Sequence, residues 1–469
     1  MPLGSPTPLP ARAVATEVPL RHFTDGTMSF STHACISCIS TTPRALRRDT
    51  RGDARVADPR RTRTSAPTAV RHRGGRAPRA RVAEAAAGGD AASPVIVGMG
   101  SAGVDYLASI AAFPEPDAKL RTDSFEVQGG GNCGNALTAT SRLGCRPRIL
   151  TKLSDDGAGK AIVDEFEADG VDTSAIVIER GASSPFTYII VDRAGATRTC
   201  IHTPGPDFAE DELDDDAVAA VLTGASLAYF DGRLTEVAIK VARKAREMGV
   251  PVLVEGERLR DNLETLLLLG DHVCTSAGYP RDATGEETTE TAMVAMLAEL
   301  PRAKTLVTTL GSRGAVMVAR VDDWDEACDE TTLRELVASL EAEAKANETE
   351  NATSGDGDGD GDAAAVPLPA VPATSATVYL MDAGKDAATK LGPVRVTFAP
   401  AAAMRVEQIA DTTGAGDSFI GSFCFGVATG MALPAAMRLG AYVAARKCTA
   451  LGARPGLPRR DTVPEELFI

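Results

Sequence analysis

Asp417 is the residue whose neighbours best equip it for chemistry. It closes the run Asp411-Thr412-Thr413-Gly414-Ala415-Gly416-Asp417, and Phe419, Phe423 and Val427 then recur at helical spacing up to Gly430. A loop should therefore become a helix within this run. A helix start offers N–H groups without intrahelical partners and a partial positive charge. Gly414, Ala415 and Gly416 carry little or no side chain, so a phosphate can approach that backbone closely. A carboxylate beside such a site can take the proton of an attacking hydroxyl. Phosphoryl transfer asks mainly for positioning and charge stabilisation. The competing reading is a capping aspartate behind a tight glycine turn.

Two further segments could hold a ligand. Gly129-Gly130-Gly131-Asn132-Cys133-Gly134-Asn135 runs into an apolar stretch ending at Gly144. Its glycines permit close backbone approach, and an amide at Asn135 can bond two hydroxyls of a polyol. A glycine-rich turn with an ordinary helix cap would look the same. Gly98-Met99-Gly100-Ser101-Ala102-Gly103 follows a short apolar strand and matches the glycine spacing of dinucleotide sites. Such sites want an acidic residue about 20 residues on, at the end of a second strand. The next stretch here is the loop Phe113-Pro114-Glu115-Pro116. A tight turn presenting Asp105 to a polyol is the alternative.

Other chemistries lack their residues. Gly159-Lys160 fails the phosphate-loop pattern, because Ser154 and Ala161 stand where Gly and Ser/Thr are needed. There is no HExxH, and five histidines are too few to suggest a metal cluster. Cys35 and Cys38 form a CxxC with no partner pair nearby. The repeat Asp356 to Asp362 could suggest calcium, but Pro367 occupies the position where a calcium loop needs Glu.

The elements that must position these residues alternate. Val95 to Val97, Arg148 to Leu153, Leu227 to Phe230, Val252 to Val254, His272 to Cys274 and Lys304 to Thr309 read as strands. Gly134 to Leu143, Ala158 to Ala168, Glu236 to Met248 and Thr288 to Leu300 read as helices. This rhythm predicts an α/β fold with a parallel sheet covered on both faces. Phe186 to Val191 and Thr197 to His202 flank a turn as a hairpin would, and Leu120 to Val127 could be another strand. Together they suggest a small β lid. The acidic stretch from Asp322 to Ala376 should interrupt the domain as a mobile loop, with a helical piece from Leu333 to Ala346.

Charge is divided along the chain. Residues 1–89 hold 15 Arg, no Lys and 6 acidic residues, a net of +9; the remainder holds 34 basic and 58 acidic residues, a net of −24. The acidic body argues against general nucleic-acid binding. No apolar run is long enough to span a membrane. The basic leader, residues 1–90, reads as a transit peptide for a chloroplast, with the mitochondrion second. The folded body is then 91–321 and 377–469, around the insertion 322–376.

Taken together, the D-T-x-G-A-G-D run, Gly130-Gly131 with Asn135, Thr309-Leu310-Gly311-Ser312-Arg313-Gly314, and Gly452-Ala453 with Pro455 and Pro458 resemble the ribokinase-like, or pfkB, carbohydrate kinases. The likeness runs from about Pro94 to Pro458, apart from the acidic insertion. It implies a three-layer αβα domain with a β lid over the sugar, using ATP and Mg²⁺. By this resemblance Asp417 is the catalytic base and Gly414, Ala415 and Gly416 form the anion hole. Asp105, Gly130, Gly131 and Asn135 would hold the sugar, with Asp231 a lid-side or sugar contact. Thr309, Gly311 and Gly314 would line the ATP cleft. Asp411, Thr413 and Gly452 would belong to a monovalent-cation (K⁺) site. One departure stands out: Ser276-Ala277-Gly278-Tyr279 replaces the family's N-x-x-E, which organises magnesium.

The expected activity is transfer of the ATP γ-phosphoryl group to a sugar hydroxyl, ribose first, then a ketohexose or a nucleoside. An aromatic content of 4% disfavours a base-stacking pocket. The alternatives are an inactive kinase-fold scaffold of a plastid complex, and an NAD enzyme built on Gly98 to Gly103. Exposed lid strands could pair between two subunits.

Overall fold

The computed structural model describes residues 93–195, 197–321, 329–354, 373–380 and 391–469. The basic leader and the Asp356–Asp362 repeat lie outside the described residues. The first half runs β1 (Val95–Met99), β2 (Gly103–Ile110), β3 (Ser124–Gly130), α1 (Asn132–Arg142), β4 (Arg146–Leu150), β5 (Lys152–Ser154), α2 (Gly157–Ala168), β6 (Val177–Glu179), β7 (Phe186–Asp192) and β8 (Thr197–Thr203). There follow α3 (Asp215–Leu222), β9 (Ala225–Phe230), α4 (Thr235–Glu247), β10 (Val252–Gly256), α5 (Leu263–Leu267), β11 (His272–Thr275), α6 (Tyr279–Thr284), α7 (Thr289–Glu299) and β12 (Thr305–Thr309). The rest is β13 (Ala315–Arg320), β14 (Asp329–Thr331), α8 (Leu333–Ser354), β15 (Thr374–Leu380), β16 (Val394–Ala399), α9 (Ala415–Thr429) and α10 (Leu433–Cys448).

Ten strands form the main sheet in the order β14-β15-β16-β13-β12-β11-β10-β9-β1-β4. From β4 to β12 every pairing is parallel. Parallel neighbours need crossovers, and these lay helices on both faces. The strand residues show this alternation. Ile96, Leu227, Tyr229 and Leu253 pack with Leu137, Phe419, Phe423 and Leu439 of α1, α9 and α10. Val97, Ala228, Phe230 and Val254 pack with Val237, Leu266, Met293 and Leu333 on the other side. The sheet is thus a buried middle layer, as the alternating sequence pattern predicted. Among the described residues, no helix is long and apolar enough to cross a membrane.

The chain leaves β1 to one neighbour, β4, and returns on the other side as β9. Such a switch point opens a crevice at the C-terminal ends of the strands. A second sheet, β3-β2-β7-β8, rises from this edge. It is the expected lid with one strand more, because the glycine segment after β1 leads into β2. The expected strand at Leu120 to Val127 lies at Ser124–Gly130. The expected strand from Arg148 to Leu153 divides into β4 and β5, and β5 pairs with β6.

Part of the stretch expected to loop out is folded instead. β14 and the start of β15 fall in this stretch and extend the main sheet, and the helical piece expected from Leu333 to Ala346 is α8, whose Leu333, Val337, Leu340 and Ala344 are buried. Their spacing is that of one helix face. The acidic composition of the segment masked this stripe.

Candidate active site

The loop-to-helix transition occurs at Gly414, which takes φ 76° just before α9. A side chain there would press on Ala453, whose Cβ would lie 2.7 Å away. Gly416 differs: a Cβ would meet nothing within 4 Å. The first N–H groups of α9 therefore border open space with no side chain at Gly416. Asp417 stands in that first turn, half-buried. Burial pushes its carboxyl up to about 6; Glu257 and Asp231 add to this, while Asn135 and Arg233 pull the other way. Asn135 Nδ2 donates to Asp417 Oδ2 at 2.8 Å. Two segments 282 residues apart thus meet through the two side chains the sequence singled out.

Asn135 is itself held by Arg454. The Arg454 Nε donates to Asn135 Oδ1 at 3.1 Å, Nη2 to the Gly130 carbonyl at 3.1 Å, and Nη1 to Glu165 Oε1 at 3.1 Å. Its guanidinium lies 4.7 Å from the Phe166 ring centre. Glu165 Oε2 accepts from the Gly129 N–H at 2.6 Å. Sequence reasoning passed over Arg454, because an arginine in a Gly/Pro loop reads as exposed; here its side chain is fully buried.

Cross-strand partners share a face of the lid. Asp105 pairs with Gln128 and Thr187, and Thr187 with His202. Asp105 is buried, and burial pushes its carboxyl up to about 6 against the pull of Arg454. A Cβ on Gly130 would lie 2.2 Å from Asp105 Oδ2, and one on Gly131 would lie 2.6 Å from the Ser101 carbonyl. The glycine run thus first makes room for protein atoms. From β8, Arg198 Nη1 donates to Thr412 Oγ1 at 2.8 Å and ties the lid to the Asp417 run.

Asp231 departs from its expected role as a sugar or lid contact. It is fully buried. Its Oδ2 accepts from the Ser101 N–H and hydroxyl, both at 2.7 Å, and from the Cys133 N–H at 3.2 Å; its Oδ1 accepts from the Arg233 N–H at 3.0 Å. It fixes the turn after β1 and the start of α1. The same turn rules out the dinucleotide reading of Gly98 to Gly103. A strand follows it, so no helix start awaits a pyrophosphate. Asp231 and Leu137 already fill the space over Gly100 and Gly98.

Thr309 ends β12, on the same strand edge, and donates to the Thr275 carbonyl at 3.3 Å. Gly311 takes φ 62° facing open space, whereas Gly314 takes φ 109° with Ala399 against it. Where the family's magnesium segment is expected, Ser276 Oγ donates to the Glu257 carbonyl at 2.8 Å and Tyr279 is buried. Among the described residues no cluster of three or more His, Cys, Asp or Glu could hold a metal ion.

Asp411, Thr413 and Gly452 do come together. Asp411 Oδ1 accepts from the Thr413 N–H and hydroxyl at 2.9 and 2.8 Å, and Oδ2 from the Gly452 N–H at 2.8 Å. The buried Lys447 ammonium lies 4.0 Å from Oδ2 and donates to the Asp411 carbonyl at 2.6 Å. Burial opposes the charge on Asp411, but Lys447 and these bonds hold its carboxyl below the usual range. The side-chain oxygens are committed and a positive charge is already present, so the set does not fit a monovalent cation.

Two residues near Asp417 went unnoticed in the sequence. Glu255, buried at the end of β10, accepts from Tyr229 Oη at 2.6 Å and from Asn132 Nδ2 at 3.1 Å. Burial, and then Asp417, push its carboxyl up. Arg233 follows β9 and donates from Nη2 to Asn132 Oδ1 at 3.3 Å.

Residues 95–333 and 331–460 match the profile of the pfkB family carbohydrate kinases. The chain is 26% identical over 225 residues to the bifunctional ribokinase/ribose-5-phosphate isomerase A of Fructilactobacillus sanfranciscensis, covering 47% of this chain and 42% of that protein. It is 25% identical over 230 residues to the ketohexokinase of Mus musculus, covering 47% of this chain and 76% of that one. Its fold resembles that of Arabidopsis thaliana ribokinase complexed with ribose and ATP, with TM-score 0.55, 18% identity, and 80% and 99% of the two chains covered. It also resembles Thermotoga maritima ribokinase, with TM-score 0.54, 18% identity, and 78% and 97% covered.

Proposed function

The chain belongs to the pfkB family of carbohydrate kinases, and from that premise we propose that it transfers the γ-phosphoryl group of ATP to a sugar hydroxyl with Asp417 as base. The observation that carries this is the meeting of Asp417 with Asn135 at 2.8 Å, beside the open backbone at Gly416. Asn135 engages Asp417 Oδ2, which leaves Oδ1 for the acceptor hydroxyl. As the acceptor's hydroxyl oxygen bonds to the γ-phosphorus, the hydroxyl proton passes to Asp417 Oδ1. The bond from the γ-phosphorus to the β,γ-bridging oxygen breaks, and ADP leaves. The N–H groups opening α9 face the charge that develops.

Asp105 and Asn135 hold the sugar, with Gly130 and Gly131 contributing backbone; Thr309, Gly311 and Gly314 border the nucleotide. Mg²⁺ enters as part of the MgATP substrate, held by phosphate oxygens and water. Ribose is the first acceptor to test and a ketohexose the second. The joined Asp417–Asn135 pair counts against an inactive scaffold. The lid face opposite Asp105 exposes Phe125, Val127, Tyr188 and Ile201 and is proposed to pair with a second copy, which light scattering would register. The basic leader is proposed to direct import into a chloroplast, testable by fusing residues 1–90 to a reporter. For the activity itself, ADP release across a sugar panel is compared with Asp417→Asn. The substitution should lower kcat by about 10³-fold; undiminished turnover would remove Asp417 from the mechanism.

A further inference from the structure

Three arginines converge on one carboxylate at the rim of this crevice. Glu257 Oε2 accepts from Arg233 Nη2 at 2.9 Å and from Arg260 Nη2 at 3.0 Å; Oε1 accepts from Arg258 Nη2 at 3.0 Å. A carboxylate neutralises one guanidinium, and the nearest second one, Asp231, is enclosed by its own donors 3.9 Å from Arg233 Nε. That Nε is buried without a hydrogen-bond partner. The surplus charge is felt across the cleft: after burial, Arg233, Arg258 and Arg260 are what hold the lid's His202 ring below its ordinary value. It also reaches Asp417, whose carboxyl Arg233 pulls down. Ser276, where a magnesium-organising residue is expected, instead bonds the Glu257 carbonyl and fixes the arginine loop there.

We infer that Arg233, Arg258 and Arg260 form a phosphate-binding subsite beside Asp417. A planar guanidinium matches two phosphate oxygens at once, and three of them supply charge that the altered Ser276–Tyr279 segment does not attract through metal. The inference deepens the kinase reading and rests on it for the source of the phosphate. That source is either the terminal phosphate of ATP or a phosphate already on the acceptor.

The test titrates tripolyphosphate, ATP and adenosine into the full chain and into the double variant Arg258→Gln/Arg260→Gln, with Arg260→Lys as the charge-keeping control. All three proteins are first melted to confirm folding. If the phosphate is ATP's, the double variant loses at least about tenfold in affinity for ATP and tripolyphosphate, while adenosine binding holds. If it is the acceptor's, ATP affinity holds, tripolyphosphate binding falls, and KM rises about tenfold for phosphorylated sugars only. A folded double variant that binds tripolyphosphate and ATP like the wild type, with every KM unchanged, overturns the subsite. So does a wild type that binds no tripolyphosphate. If the arginines govern tripolyphosphate binding in a chain that phosphorylates no sugar, the kinase reading falls and the subsite stands.

Discussion

Arg454 Nε donates to Asn135 Oδ1 at 3.1 Å, and this one bond decides which way the Asn135 amide faces. With its oxygen taken, the amide can only offer its NH₂ group to Asp417. The arginine is locked in turn by Glu165 and by the Phe166 ring. Two substitutions, Arg454→Met and Arg454→Lys, should therefore separate its structural role from its orienting one. Breaking a buried, bonded charge should cost about 3 kcal/mol of stability. Arg454→Lys keeps a charge but loses the fork, so it should fold and yet lower kcat about tenfold. Thermal melts and steady-state kinetics on the two variants separate the effects, and equal kcat in Arg454→Lys and wild type would sink the orienting role.

Asp417 and Asp105 are each pushed up to about 6 by burial. Asp417 must be ionised to accept a proton, so activity should rise with pH through about 6 and level off above it. Were Asp105 to bind sugar as a carboxylate, both groups would count, and log kcat/KM should climb with a slope of about 2 below that range. Asp105→Asn should reduce the slope to about 1. A profile flat from pH 5 to 8 would contradict the assignment.

The parts legible in the sequence were those set by short-range rules. Alternating apolar strands and helices announced the parallel sheet, and Gly414 to Asp417 announced the helix start because small residues and a periodic apolar stripe stand next to each other. What stayed hidden depends on tertiary partners. Asp231 looks like a free carboxylate at a strand end until Ser101, Cys133 and Arg233 are seen donating to it. Glycines at 130 and 131 read as room for a ligand, and only the fold shows that Asp105 and Ser101 also need that room. Arg454 and the arginines at 233, 258 and 260 gave no local signal, since nothing in a loop's composition says that its charges will be buried or crowded together.

The two kinds of glycine should behave oppositely. Nothing lies within 4 Å of where a side chain on Gly416 would begin, so Gly416→Ala should melt like the wild type. Its methyl group would still stand where the phosphate must approach, and kcat/KM for ATP should fall by about 10-fold or more. Gly130→Ala puts a methyl group on Asp105 and should lose about 1–3 kcal/mol instead. Melting curves and ATP kinetics on both variants check the contrast; a fully active Gly416→Ala would argue against the anion hole.

Lys447 makes the sharpest prediction for stability. Its ammonium is the only positive charge described within 4.0 Å of the Asp411 carboxylate, and both groups are buried. Removing one partner of such a pair costs about 3–5 kcal/mol. Asp411 is held below its ordinary value in the fold, so the stability it contributes is present above the unfolded value near 3.8 and is lost as pH falls through the folded one. Lys447→Met should therefore be most destabilised near neutral pH, with the gap to wild type closing as pH falls through the folded value of Asp411. Since the ammonium supplies the charge an ion would bring and the Asp411 oxygens already have donors, KCl and NaCl should stabilise the wild type equally. Melts of both proteins across pH and in the two salts decide it: a wild type stabilised specifically by potassium would show that the cation set is open after all.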